Sequence, residues 1–237
     1  MPRTVKTPPT WQTELNIVDQ GGQWIIGLDE VGRGCLAGPV TLGAAAFSAD
    51  MVAAADFPEG LTDSKLLTPA RREALVPKIS QWAAAVATGE STNTEIDEWG
   101  ISYCLGLAAL RALDTVENAL LTLYPDRFTA HSRVAVLLDG PHDYITPALH
   151  TFNAPAIPVI PRVYTQVKAD QACASVSGAS VFAKVQRDHY MVDLAQRNPQ
   201  WAAYGWEKNK GYGSAAHRQA LKTLGPTPYH RLSWHLV

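Results

Sequence analysis

Cysteine is scarce in this chain, three in 237 residues, and Cys35, Cys104 and Cys173 stand far apart with no Cys-x-x-Cys pair among them. An odd, scattered set excludes a disulfide framework and a thiolate zinc site, and leaves the cysteines as small core residues. Long apolar runs are missing as well: charges or glycines interrupt every stretch well short of the ~20 residues a membrane helix needs. Residues 1–20 are polar and proline-containing, without the apolar segment of a secretory signal, so a cytoplasmic protein with no membrane association is expected. Internal repeats and low-complexity tracts are absent too.

Net charge is small, −2, but unevenly spread. From residue 161 onward ten lysines and arginines face four acids, so the remainder carries the acidic surplus. That basic third is interleaved with Tyr204, Trp206, Tyr212, Tyr229 and Trp234. The combination suits a polyanion with stackable bases or sugars, that is, nucleic acid, although ordinary solvation of helix faces accounts for the charge equally well. At 237 residues and 46% hydrophobic content the chain can bury a full core. The expected organisation is a flexible N-terminal extension over 1–20 and a single domain over 21–237.

Strands are predicted near 22–28 and 39–47. Thr68 as N-cap with Pro69 at the first helical position predicts a helix, weakened or ended by Pro77. Gln81–Thr88 is open between helix and strand. Apolar residues at 101, 105, 108, 109, 113, 116, 120 and 123 keep helical spacing over Ile101–Leu123. Val134–Leu138 reads as a buried strand ending at Asp139-Gly140-Pro141, and Ile157–Ile160 as another between prolines. Asp170–His189 is helical in spacing and crowded with small residues, so it can lie very close to a sheet, with room for a break near Ser177-Gly178. A last helix is predicted from a Ser214 cap to Leu224, before Gly225-Pro226. Strands alternating with helices make an α/β fold.

In Ile25-Ile26-Gly27-Leu28-Asp29-Glu30-Val31-Gly32-Arg33-Gly34 an apolar run stops at two adjacent acids. It reads as a strand delivering carboxylates, which need a cation or solvent to receive them. Alternation sends neighbours to opposite faces, so both acids reach one site only where the pleat breaks, and Gly32 and Gly34 permit a break. Asp139 ends a later strand and Asp170 opens a helix. Taken singly, Asp29-Glu30 and Asp139-Gly140 are turns and Asp170 a helix cap. Taken together, acids from elements ending at one sheet edge can hold two magnesium ions. One ion then activates a water, and the other stabilises the leaving oxygen of an in-line phosphoryl displacement.

Around these acids stand seven strings in order: Gly27-Leu28-Asp29-Glu30-Val31-Gly32-Arg33-Gly34 with Gly38-Pro39-Val40; Leu61-Thr62-Asp63-Ser64-Lys65; Leu137-Leu138-Asp139-Gly140; Val167-Lys168-Ala169-Asp170; Ala179-Ser180-Val181-Phe182-Ala183-Lys184-Val185-Gln186-Arg187-Asp188; Lys210-Gly211-Tyr212-Gly213-Ser214; and His230-Arg231-Leu232-Ser233-Trp234. Together they resemble the ribonuclease HII family over roughly residues 24–235. One short motif is weak, but seven in family order are not chance.

The resemblance implies a ribonuclease H-like α/β fold, a mixed central sheet flanked by helices with a helical C-terminal part, and makes Gln81–Thr88 a strand. It implies an endoribonuclease dependent on Mn2+ or Mg2+. The substrates would be the RNA strand of RNA–DNA hybrids and single ribonucleotides embedded in duplex DNA, cut to leave 5′-phosphate and 3′-hydroxyl ends. The family's acidic quartet falls on Asp29, Glu30, Asp139 and Asp170. Backbone groups of Gly32-Arg33-Gly34 would read the 2′-hydroxyl, which separates RNA from DNA, glycine permitting close approach. Tyr212 would stack on the deoxyribose after the ribonucleotide. Lys65, Lys168 and Lys184 would meet phosphates, with a carboxylate as the alternative partner of Lys184, and Asp188 would pair with Arg187 or a neighbour. Two departures stand out: Leu66 replaces a lysine frequent in the family, removing one phosphate contact, and Ala169 stands where glycine is common.

Three rivals differ in ways the residues address. Ribonuclease HIII carries an extra N-terminal substrate-binding domain, for which the 28 residues before Asp29 leave no room, and usually a lysine in place of Arg33. A metal-dependent DNA endonuclease of the same superfamily is disfavoured by the Gly-Arg-Gly and Lys-Gly-Tyr-Gly motifs. A non-catalytic nucleic-acid-binding module gains nothing from carboxylates that repel phosphates. The chain is expected to act as a monomer, and its residues name no protein partner.

Overall fold

The computed structural model describes residues 8–236. Its elements in chain order are α1 (Gln12–Asp19), β1 (Trp24–Val31), β2 (Val40–Ser48), α2 (Ala49–Ala54), α3 (Pro69–Trp82), β3 (Ala85–Ser91), α4 (Asn93–Trp99), α5 (Ile101–Leu123), β4 (Val134–Asp139), β5 (Arg162–Gln166), α6 (Ala169–Ala172), α7 (Ala174–Arg197), α8 (Trp206–Asn209) and α9 (Ala215–Leu224). Short 3-10 turns cover Ser64–Leu66 and Pro199–Tyr204. The strands form one mixed sheet in the order β3-β2-β1-β4-β5, antiparallel from β3 to β1 and parallel from β1 to β5.

Alternation along β1 builds the two layers. Trp24, Ile26 and Leu28 face α5, packing with Leu105, Ala109 and Leu113. Ile25 faces the other way, with Ala45, Phe47 and Ala135, toward Ala174 and Ala179 of α7. Each such fully buried aliphatic side chain contributes about 1.5–3 kcal/mol. The small residues of α7 meet glycines of the sheet. A Cβ on Gly27 would lie 2.3 Å from the Ser175 carbonyl carbon, and one on Gly43 2.4 Å from the Ala179 carbonyl oxygen. Helix backbone therefore rests directly on strand backbone.

Four expectations need correction. Residues 12–19, expected in a flexible extension, form α1, with Trp11 and Ile17 buried; residues 1–7 lie outside the described residues. The buried Glu14 of α1 accepts hydrogen bonds from the Ser175 amide (3.0 Å) and hydroxyl (2.7 Å). It thereby caps the first turn of α7, whose own N-cap residue, Cys173, offers no side-chain bond. Pro77 does not end α3. Its missing N–H lies on the solvent side, while Leu75 and Ile79 on the inner face pack with Val181, offsetting the ~3 kcal/mol cost of an internal proline. The edge strand is Arg162–Gln166, not Ile157–Ile160. Pro155, Pro158 and Pro161 have no N–H for a ladder, and the Val159 amide instead donates to Glu117 (2.7 Å). The break in the Asp170–His189 helix falls at Cys173, ahead of Ser177-Gly178, and α7 runs on to Arg197.

Candidate active site

The parallel ladder between β1 and β4 stops at Leu28 opposite Leu138, whereas β1 stays paired with β2 out to Val31. Asp29 and Glu30 follow the last β1–β4 pair directly, and Asp139 follows it on β4. Asp170 arrives from α6, just beyond the end of β5. The pleat does not break at the acids, contrary to the expectation. Asp29 lies on the α7 side, near the Ser180 hydroxyl. Glu30 lies on the opposite side, where it accepts from Arg33 (3.3 Å) and from the Tyr144 hydroxyl (3.4 Å). The two faces meet only at the end of the sheet.

Electrostatics at this edge are unbalanced. Burial, reinforced by Glu30, Asp139 and Asp170 against the Ser180 hydrogen bond, pushes the Asp29 carboxyl up to about 8. Asp139 is also raised, by burial and then by Asp170, although the Ala169 amide donates to it at 2.7 Å. Asp170, only 2% exposed, receives the Lys65 ammonium at 2.8 Å. Burial alone would lower the Lys65 pKa, but Asp170, Asp29 and Asp63 outweigh it and the net shift is upward. Asp63 seats this lysine: one oxygen accepts from the Lys65 amide (2.8 Å) and the other from Gln171, beside Asp170 (3.2 Å). The donors are all carboxylate oxygens, the ligand type of hard divalent cations. Among the described residues no three acids, histidines or cysteines close around a point as a ready-made ion cage; the quartet lines an edge. A cavity of about 570 Å3 opens beside it, lined in part by Glu30, Arg33, Asp139 and Tyr144.

The glycine turn after β1 lies against the Tyr212 loop. Leu36 and Ala37 donate to the Gly211 carbonyl (2.8 and 3.3 Å), and the Tyr212 hydroxyl sits against the Gly32 backbone. Tyr212 is 39% exposed, with the Lys184 ammonium 5.6 Å and the Arg187 guanidinium 5.9 Å from its ring centre. Gly32 has φ +81°, and a Cβ there would lie 2.0 Å from Arg187 Nε; at Gly34 a Cβ would meet nothing within 4 Å. Glycine at 32 therefore makes room for an arginine of the protein itself, and Gly34 alone leaves an open approach.

Two side chains that the sequence motifs did not tie to this turn hold it. Arg187 and Arg231 are completely buried, and neither pairs with a carboxylate among the described residues. Arg187 donates to the carbonyls of Pro39, Lys210 and Ala37 (3.0, 2.9 and 3.3 Å). Arg231 donates to those of Gly32, Arg33 and Gly38 (2.7, 2.7 and 3.1 Å). Lys184 takes the carboxylate alternative, 2.7 Å from Asp188, which also faces Arg72 at 3.9 Å rather than Arg187. Lys168 is exposed, in a left-handed conformation two residues before Asp170.

Comparison with known proteins agrees with this layout. The family model described as Ribonuclease HII matches residues 26–237. A Ribonuclease HII of Streptomyces griseus is 42% identical over 228 residues, covering 96% of this chain and 84% of that protein. The fold resembles the crystal structure of the ribonuclease H2 from Pyrococcus horikoshii, with TM-score 0.62 and 23% identity over 90% of this chain and 94% of the other. It also resembles Bst-RNase HIII in complex with Mn2+, with TM-score 0.65 and 22% identity over 92% and 69%. Acids gathered at the end of a mixed sheet, a glycine turn beside them and a match over most of the sequence lead to one conclusion: the chain belongs to the ribonuclease HII family.

Proposed function

We propose that this endoribonuclease cuts the RNA strand of RNA–DNA hybrids, and duplex DNA at a single embedded ribonucleotide, leaving 5′-phosphate and 3′-hydroxyl ends. Membership of the family supports the ribonuclease H activity itself. The observation that carries the finer reading is the pairing of an acid-rich sheet end with an open glycine turn and a half-exposed tyrosine on the same side of the molecule.

Asp29, Glu30, Asp139 and Asp170 would hold Mn2+ or Mg2+. The donor set supports this, as does the upward shift of Asp29, to which Glu30, Asp139 and Asp170 add after burial. Two such ions, when bound, supply an activated water and neutralise the leaving oxygen. Around them the chain's own residues position the substrate. The backbone at Gly34, unobstructed on its Cα side, lets a ribose approach closely enough for its 2′-hydroxyl to be read. Arg33 is turned toward Glu30, so Gly32-Arg33-Gly34 reads through backbone groups. Tyr212 stacks on the next sugar and senses the RNA-to-DNA junction. Lys65, 71% exposed along its side chain, and Lys168 meet phosphates as point charges. Among the described residues no helix is long and apolar enough to cross a membrane.

The test is cleavage of duplex DNA containing one ribonucleotide, of an all-RNA hybrid and of an all-DNA control, in Mg2+ and then in Mn2+. Cutting of the two ribonucleotide-containing substrates alone is expected. Cutting of the control would replace the reading with a DNA nuclease. In the same assay Tyr212→Ala is expected to lower cleavage at the single ribonucleotide about tenfold more than cleavage of the hybrid, the scale of one lost stacking contact.

A further inference from the structure

The His230-Arg231 motif takes no part in the proposed chemistry, yet it lies behind both substrate-reading loops. His217 of α9 and His230 are fully buried, with ring centres 5.2 Å apart, and Tyr204 and Trp206 pack around them. Their hydrogen bonds admit one arrangement of protons. The Thr227 amide can only donate, and it points at His230 Nδ1 (2.9 Å), so His230 carries its proton on Nε2. That proton faces His217 Nε2 at 3.0 Å. The Trp206 indole N–H also points at His217 Nε2 (3.3 Å), so this nitrogen accepts. His217 therefore carries its proton on Nδ1 and donates to a group that can only accept, the Tyr212 carbonyl, at 2.8 Å.

We propose that His217 is a positioning residue for the Tyr212 loop and that His230 sets the tautomer in which it acts. The claim rests on the reading of Tyr212 as the junction sensor. The relay runs in one direction, from the Thr227 amide through two opposite imidazole tautomers to the backbone of the sensing residue. Any further proton would confront a donor, at Thr227 on one side or at Trp206 on the other. In keeping with this, both rings are held neutral: His217 is shifted downward and His230 lowered to about 4, in each case chiefly by burial. The next residue, Arg231, grips the carbonyls of Gly32 and Arg33. One short segment thus fixes the spacing between the loop that reads the 2′-hydroxyl and the loop that senses the junction.

The test has two arms. Long-range 1H–15N NMR of the full chain at neutral pH should show His217 protonated on Nδ1 and His230 on Nε2; the same tautomer at both, or a charged ring at either, overturns the relay. The second arm is the ratio of kcat/KM for the single-ribonucleotide duplex to that for the all-RNA hybrid, in which the fraction of folded enzyme cancels. His217→Ala should lower this ratio about tenfold, as expected for loss of one orienting hydrogen bond at a site sensitive to placement. His217→Asn, whose amide N–H lies where Nδ1–H was, should restore it to within about threefold. A ratio lowered by Tyr212→Ala but untouched by His217→Ala overturns the positioning role alone. A ratio untouched by Tyr212→Ala overturns the junction reading and this inference with it.

Discussion

The acidic end of the sheet and the glycine turn beside it, the proposed cutting edge and reading surface, are balanced in opposite ways. At the edge, four carboxylates face one ammonium, Lys65 on Asp170, and one guanidinium, Arg33 on Glu30, and Asp29 is pushed toward its protonated form by burial and then by its neighbouring acids. Behind the reading turn, two buried guanidiniums have carbonyls instead of acids as partners, and the neighbouring histidines are neutral. The edge is incomplete without added positive charge, whereas the reading surface is satisfied from within. Carboxylates proposed to receive an ion are left short of partners, and groups that hold a backbone shape are saturated with them.

The largest effect is expected where that contrast is broken at the edge. Asp29→Asn should lower cleavage by about a thousandfold or more, while hybrid binding measured by fluorescence anisotropy stays within about threefold. Substantial turnover by the folded variant would remove Asp29 from the chemistry. On the other side, Arg231→Met strips the donors from the Gly32, Arg33 and Gly38 carbonyls, and urea denaturation should show a loss of about 3 kcal/mol. A loss below about 1 kcal/mol would mean that the turn holds itself.

Smaller effects follow from pH, and their signs differ between the two regions. The Asp29 carboxyl is raised from 3.8 to about 8, so without divalent ions its contribution is full at low pH and is lost as pH rises toward 8. His230 is lowered from 6.5 to about 4, so its contribution is full above 6.5 and is lost as pH falls toward 4. The two windows overlap between about 4 and 6.5, where the opposite slopes offset, so denaturation in chelator should show the Asp29 loss openly between 6.5 and about 8, no steeper than about 1.4 kcal/mol per pH unit. Asp29→Asn should remove the loss above 6.5 and expose the His230 rise between about 4 and 6.5, whereas His230→Gln should extend the Asp29 loss down to about 4. Added Mg2+ should stabilise more at pH 8 than at pH 6, and equal stabilisation would place the ion elsewhere. The smallest effect is expected for Arg33→Ala. The Arg33 side chain is 53% exposed in its pair with Glu30, so stability should change by less than about 1 kcal/mol, and a larger loss in urea would mark a buried role.

What could be read from the residues was local. The caps at Thr68 and Ser214 accept the amide bonds that their helix starts require, and the acids stand where their strands and helix deliver them. Contacts made by backbone groups across long separations were not legible. Arg187 reaches a carbonyl 148 residues away, and Arg231 one 199 residues away; nothing in the type of an arginine announces a carbonyl as its partner. Nor was it legible that the bare Cα of Gly32 leaves room for the Arg187 side chain. Alternation did place Asp29 and Glu30 on opposite faces. The break expected to reunite them was unnecessary, because the site sits where the sheet itself runs out.

Glu14 caps α7 from 161 residues away, and α7 carries Ser180, Lys184 and Arg187. In vectorial synthesis Glu14 precedes Ser175 by 161 residues, all of which must be made before this acceptor can meet the helix it completes. Closing so long a loop costs entropy that rises only as the logarithm of its length, but it cannot happen before Ser175 exists. Ser180, Lys184 and Arg187 all ride on that helix, so a nascent chain cannot complete the first turn beneath them before Ser175 has been made.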